Sequence, residues 1–360
     1  MTPDKLSLRR RIALEAARKL EDDLIAEHPL RQLFWECTLR CNLHCQHCGS
    51  DCKVKAETAD MPKETFLRVL DQVAERTDPH KVFVIITGGE PLMRADLEEC
   101  GRAIYDKGFP WGMVTNGMGL TAERFQRLLR SGMHSATVSL DGFEDDHNWM
   151  RGNPLSYQRA INAIKLMIAQ KDFLFDVVTC VNQRNIGRLE ELREYLICLG
   201  LKQWRLFTVF PSGRAVGNAD LQLRPEQFRE VMDFIHSTRK EGRIDVSYGC
   251  EGFLGNYEGD VRDHFFFCQA GVSVGSVLAD GSISACASIR ADYHQGNIYE
   301  DNFMDVWEQR FAPYRDRGWM KKDECAKCKY FRFCRGGGMH LRDGEGRLMF
   351  CHYNRFLAEK

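Results

Sequence analysis

The sequence predicts an α/β protein built on a parallel sheet covered by helices. Three observations predict it: six apolar, β-rich runs recur between residues 33 and 210, amphipathic stretches at helical spacing alternate with them, and the most unusual residues follow the runs. Apolar strands separated by crossover helices belong to parallel sheets, either open and doubly wound or rolled into a full or partial barrel.

Residues 1–29 come first. Leu8, Ile12, Ala16, Leu20 and Leu24 share one helical face beside the run Arg9-Arg10-Arg11. This reads as a solvated amphipathic helix capping the sheet, with a docking surface for an acidic peptide leader as the sharper alternative. The strand runs are "LFWEC" (33–37), "VFVIIT" (82–87), "WGMVT" (111–115), "SATVSL" (135–140), "LFDVVTCV" (174–181) and "WRLFTVF" (204–210). Helical stretches follow at 63–76, 95–107, 121–131, 157–170, 187–199 and 225–241, several opening on Pro or Thr and closing near Gly. Six β/α units therefore occupy residues 30–242, and a cysteine-rich unit occupies 243–360.

With 360 residues, 44% hydrophobic and 28% charged, the chain can bury a large core and divide into two domains. A formal net charge of −1 gives no field for gathering nucleic acid or anionic membrane. The first thirty residues lack the apolar region of a signal peptide, and no span is long enough to cross a bilayer. The expectation is a cytoplasmic protein with neither nucleic acid nor membrane as partner. Thiols stay reduced there, so fifteen cysteines point to metal rather than disulfides.

Five cysteines lie in 37–52, and six more (Cys268, Cys286, Cys325, Cys328, Cys334, Cys351) lie in the last hundred residues. Cys100, Cys180, Cys198 and Cys250 stand apart and read as small core hydrophobes. Cys37 belongs to a strand interior, and Cys52 reads as a bystander. Sites in parallel α/β folds form at the carboxyl ends of the strands. The loops expected there are "CTLRCNLHCQHC", "GGEP" (88–91), "NG" (116–117), "SLDG" (139–142), "NQRN" (182–185) and "PSGRA" (211–215).

Cys41-x3-Cys45-x2-Cys48 offers three thiolates from one short loop. A cubane iron–sulfur cluster takes one thiolate per iron, so three ligands leave one iron open. Zinc would recruit a fourth ligand, with His44 and His47 within reach in sequence. Spacing alone leaves both open. The loop's place after a strand, with the glycine-rich "GGEP" after the next, favours the cluster.

These motifs, in this order, resemble the radical SAM family. The resemblance implies a partial (β/α)6 TIM-like barrel in which Cys41, Cys45 and Cys48 hold a [4Fe–4S] cluster and S-adenosyl-L-methionine chelates its fourth iron. It further implies contacts to that cofactor from His47, Gly88, Gly89, Glu90, Ser139 and Arg151. An electron delivered by a flavodoxin- or ferredoxin-type donor would then cleave the sulfonium to a 5′-deoxyadenosyl radical.

The later cysteines, Cys268-x12-Gly281-x4-Cys286 and then Cys325-x2-Cys328-x5-Cys334 with Cys351 beyond, resemble the SPASM extension, which carries auxiliary [4Fe–4S] clusters. Gly338 stands where the extension has another cysteine. One sorting gives Cys325, Cys328, Cys334 and Cys351 a complete cluster and leaves Cys268 and Cys286 short of ligands unless Cys250 or another residue substitutes. A second joins Cys268, Cys286, Cys325 and Cys328 in a single cluster. A structural zinc ribbon is the plain alternative for the C-x2-C knuckle. One or two auxiliary clusters are expected. Proteins with this organisation most often modify peptides or proteins, so a peptide substrate is the first expectation. A small molecule, such as a tetrapyrrole or an antibiotic or cofactor precursor, is the alternative, and a non-catalytic scaffold a third. Ala287, directly after Cys286, departs from the acidic residue of anaerobic sulfatase-maturating enzymes and argues against their chemistry.

Overall fold

The structure is a computed structural model that describes residues 6–249 and 251–356. Cys250, one of the isolated cysteines and a possible auxiliary ligand, lies outside the described residues.

A single ten-stranded sheet organises the chain. Its first six strands are β1 (Gln32–Thr38), β2 (Phe83–Gly88), β3 (Trp111–Thr115), β4 (Met133–Ser139), β5 (Leu174–Val181) and β6 (Gln203–Thr208). They match the six predicted runs, lie side by side in chain order and pair in parallel. Crossover helices α2 (Lys63–Ala74), α3 (Leu97–Asp106), α4 (Ala122–Arg130), α6 (Ser156–Ala169), α7 (Leu189–Leu199) and α8 (Pro225–Glu241) correspond to the six predicted stretches. Alternate strand residues such as Val84 and Ile86, Trp204 and Leu206 are fully buried against them. The sheet does not close on itself: β7 (Asp245–Tyr248) pairs with β6 at one end, and β8 (Val274–Val277) pairs in parallel with β1 at the other. The antiparallel strands β9 (Ser282–Ser284) and β10 (Gly296–Asn297) extend that second end. The result is a curled, open α/β sheet of the partial-barrel type.

Four short helices, α9 (Phe303–Gln309), α10 (Ala312–Arg315), α11 (Phe331–Cys334) and α12 (His352–Arg355), occupy the last sixty residues. Among the described residues no helix is long and apolar enough to cross a membrane.

Two details depart from expectation. In α1 (Leu8–Glu27), Leu8, Ile12 and Leu20 of the predicted apolar stripe are exposed. Leu14 faces inward instead, and Arg10 and Arg335 tie the helix to the C-terminal part through Asp260 and Asp22. Polar anchoring, rather than the stripe, decides how this helix sits. Cys198 is exposed on α7, so it is not a core residue, whereas Cys100 is buried as expected.

Candidate radical SAM and auxiliary iron–sulfur sites

The six loops that follow the strands meet at one end of the sheet and are bonded to one another. The cysteine loop lies on the glycine loop: Gly89 N–H donates to the Thr38 carbonyl (2.7 Å) and Glu90 N–H to the Arg40 carbonyl (2.9 Å). A Cβ on Gly88 would stand 2.1 Å from the Thr38 oxygen, and one on Gly89 2.2 Å from the Arg40 oxygen. Both glycines are therefore required for the cysteine loop to pass close above.

Glu90 turns inward and is 1% exposed. Its carboxylate accepts bonds from Thr115 Oγ1 (2.7 Å), Asn116 N–H (2.7 Å) and Leu92 N–H (3.1 Å). Burial pushes this carboxyl up, and those donors work against the shift. The held loop carries Asn116, whose amide bonds Asn42 Oδ1 (2.8 Å) and approaches Cys41 Sγ (3.9 Å). Glu90 thus acts on the cysteine loop through Asn116.

On the other flank Arg151 comes from α5 (Glu144–Arg151), a helix that the sequence pattern did not predict. Its Nε donates to Asp141 Oδ2 (2.6 Å), and its Nη1 lies 3.7 Å from Cys45 Sγ. Burial alone would raise the Asp141 carboxyl, and the Arg151 guanidinium more than offsets it, holding the acid below its usual range. The other Asp141 oxygen accepts from Cys180 N–H (2.9 Å), and Asp141 N–H donates to His147 Nδ1 (2.9 Å). His47 is half-buried between the last two cysteines, and its Nδ1 is enclosed with no partner. Burial, helped by Arg151, drives its imidazole down to about 4, so it is neutral at neutral pH. Ser139, half-buried at the end of β4, sits beside Val178 in the sheet. From the loop after β6, Arg214 Nε donates to the Cys45 carbonyl (2.7 Å) and Arg214 N–H to the Cys48 carbonyl (3.0 Å). Gly213 (φ 55°) permits that approach, since a Cβ there would lie 2.3 Å from the Cys48 oxygen. Cys52 is also part of this group. It is buried, and its closeness to Cys48 draws the Cys48 thiol down.

In the C-terminal part, Cys325, Cys328, Cys334 and Cys351 line one cavity with Gly336, Gly337 and Tyr353. Cys268 and Cys286 do not line this cavity, so the four-cysteine set is gathered apart from them. At Gly338 a Cβ would lie 2.7 Å from the His340 ring and 2.8 Å from the Glu251 carbonyl oxygen. The imidazole of His340 fills the space beside Gly338 and packs edge-on against Phe210, with ring centres 5.0 Å apart.

The donor sets have the wrong spread for single ions. Among the described residues, the one group of three His, Cys, Asp or Glu ligand atoms within 4.8 Å of one another is His47, Asp141 and Cys180. No three of the predicted cysteine ligands lie that close. A lone tetrahedral zinc would bring thiolate sulfurs to roughly 3.8 Å from each other. Both cysteine sets suit a larger inorganic core with one thiolate per metal. The His47, Asp141 and Cys180 group already contains the Arg151 cation on Asp141, which disfavours a second positive charge there.

Family models agree with this geometry. The Radical SAM superfamily model matches residues 35–196, and the model for SPASM, an iron–sulfur cluster-binding domain, matches residues 268–329. The chain carries a radical SAM domain followed by a SPASM domain. Among curated relatives, the AdoMet-dependent heme synthase of Methanosarcina barkeri is 27% identical over 324 residues, covering 85% of this chain and 90% of the relative. The mycofactocin maturase MftC of Mycobacterium tuberculosis is 26% identical over 311 residues, covering 85% and 78%. The solved structure of anSMEcpe with bound AdoMet superposes with a TM-score of 0.70 at 20% identity, covering 92% of this chain and 96% of that one. Sequence pattern alone does not single out Asp141, Asn116 and Arg214. Only their places in the "SLDG", "NG" and "PSGRA" loops signalled them.

Proposed function

We propose that this radical SAM enzyme acts on a small molecule of the tetrapyrrole class, with residues 30–242 as its catalytic barrel and 243–360 as its auxiliary-cluster unit. The observation that carries the reading is the match to the AdoMet-dependent heme synthase, which runs over 85% of this chain and 90% of the relative. A relative called Fe-coproporphyrin III synthase, 25% identical over 84% of this chain, supports the same class. The peptide substrate expected first is the less supported reading. MftC, a maturase, keeps it alive as the second.

In this proposal Cys41, Cys45 and Cys48 hold the [4Fe–4S] cluster, and His47, Gly88, Gly89, Glu90, Ser139 and Arg151 shape the pocket for S-adenosylmethionine. Bound there, the cluster and S-adenosylmethionine would supply reductive radical chemistry able to take hydrogen from an unactivated carbon. The protein's own part is positional. Glu90 and Asn116 hold the cysteine loop from one side, and Arg214 holds it from the other. Arg151, fixed by Asp141, presents a guanidinium suited to a carboxylate. Neutral His47 offers an aromatic face without adding charge. Phe210 and His340 present two rings at the mouth, beside Gly49 of the cysteine loop. Set at 62° to each other, the two rings form an aromatic corner against which the edge of a macrocycle would rest.

The deciding experiment incubates the anaerobically reconstituted chain with S-adenosylmethionine, dithionite and an iron porphyrin bearing carboxylate side chains. Porphyrin mass and 5′-deoxyadenosine are followed together. A mass change coupled to 5′-deoxyadenosine supports the reading. Cofactor cleavage with the porphyrin recovered intact would overturn it, and a modified peptide from a neighbouring reading frame would establish the second.

A further inference from the structure

Five arginines are buried among the described residues: Arg94, Arg151, Arg262, Arg317 and Arg342. Three face a carboxylate, Arg94 on Asp96 at 2.8 Å, Arg151 on Asp141 at 2.6 Å and Arg262 at 4.0 Å from Glu258. For Arg317 and Arg342 the described residues supply no carboxylate within ion-pair reach. What they face instead is cysteine.

Arg342 donates to the carbonyls of Gly336 (2.8 Å) and Gly346 (3.0 Å) and, through Nη2, to Cys325 Sγ at 3.3 Å, leaving its Nε without a partner. Arg317 donates to the carbonyls of Tyr314 (2.8 Å), Cys268 (2.8 Å) and Ala270 (3.2 Å), which holds its guanidinium against the Cys268 backbone. Its Nη1 has no partner. A guanidinium does not give up its proton, so both side chains carry full charge in the interior. Carbonyl oxygens can solvate that charge in part, but a buried cation with no anion beside it is strongly unfavourable. Protonated thiols would not supply the anion. Thiolates on an iron–sulfur core would.

We propose that Arg317 and Arg342 are the counter-charges of two separate iron–sulfur centres in the SPASM domain. Arg342 serves the one held by Cys325, Cys328, Cys334 and Cys351, and Arg317 serves one held at Cys268 and Cys286. Each is a positioning residue that makes its own centre easier to reduce. The physical reason is that reduction adds negative charge to a cluster, and a fixed cation held beside a ligand cysteine stabilises the more negative form. The Cys268–Cys286 centre is thereby inferred from charge rather than from a count of cysteines, which Gly338 leaves short. The proposal rests on the iron–sulfur domain and needs no particular substrate.

The test is an EPR-monitored redox titration of the anaerobically assembled full chain, without substrate, comparing wild type with Arg317→Met, Arg342→Met and the two Lys variants. Arg342→Met should move one auxiliary signal to lower potential and Arg317→Met a different one, with the signal from the cysteines at 41, 45 and 48 unchanged in both. Cys286→Ala should erase the signal that Arg317→Met moves. The Lys variants, which keep the charge and lose the fork, should restore most of each shift. Both Met variants moving the same signal, or neither moving any at unchanged iron content, overturns the proposal. If a Met variant fails to fold, the neutral Gln variant of that residue carries the test. A fall in the potential of that residue's own signal supports the assignment, and no shift refutes it.

Discussion

Arg151 Nε and Asp141 Oδ2 meet at 2.6 Å in a pocket that buries both side chains, and the same guanidinium stands 3.7 Å from Cys45 Sγ. Breaking such a pair from one side strands a buried charge, at a cost of about 3–5 kcal/mol. Asp141→Ala should therefore lower stability by about that much, while Asp141→Ala combined with Arg151→Met should lose less than the sum of the two. Urea denaturation across the double-mutant cycle measures this. Additive losses would show that the two side chains do not act as a pair.

Gly89→Ala should empty the first cluster site. Its new Cβ would stand 2.2 Å from the Arg40 carbonyl, between Thr38 and Cys41, and neither backbone can yield without moving the cysteine loop. Iron per chain after reconstitution should fall by one cluster, with the auxiliary EPR signals retained. Full iron content in this variant would contradict the account given for the glycine loop.

Removing the Glu90 carboxylate should loosen the opposite flank. Glu90→Ala leaves Thr115 Oγ1 and the Asn116 and Leu92 amides without their acceptor. Losing bonds to a buried charged group costs on the order of 2–3 kcal/mol, so the urea midpoint should drop accordingly. Since the Asn116 loop touches Cys41, affinity for S-adenosylmethionine in the reconstituted protein should fall with it. An unchanged midpoint is the result that counts against this role.

Acid sensitivity should have a histidine component. Burial, with Arg151 adding to it, pushes the His147 imidazole down to about 3, against an ordinary value near 6.5 in the unfolded chain. Below pH 6.5 the unfolded chain binds a proton that the folded one refuses until about pH 3. Stability therefore falls as pH falls through that window, by at most about 1.4 kcal/mol per pH unit for this one group. His340, pushed by burial to about 4, adds a similar slope. His147→Gln should flatten the dependence between pH 7 and 5 in denaturation curves, and equal slopes for variant and wild type would show that this histidine is not responsible.

The long apolar strands and amphipathic helices were legible because each has enough residues for its period to show. The four-residue "DVSY" of β7 and "VGSV" of β8 are too short and too mixed to show one. They become strands because β6 and β1 offer them unpaired edges. Helix α5, "EDDHNWMR", has no apolar repeat, since what its inner face buries is His147, Met150 and Arg151. The cysteine spacing pointed to candidate metal sites, but the charges around them were invisible: Asp141 lies 10 positions before Arg151 in the sequence. The exposed stripe of α1 shows the opposite failure, a helical pattern that the fold leaves in solvent.

The pairing of β8 with β1 has a consequence for synthesis. β1 emerges early from the ribosome, while the strand that covers its outer edge is made more than two hundred residues later. Through most of translation the segment leading into the cysteine loop has a bare sheet edge, open to pairing with another nascent chain. Cluster insertion into a finished first site accordingly waits for nearly the whole polypeptide, and a chain cut before residue 274 should accumulate as aggregate rather than as a half-loaded barrel.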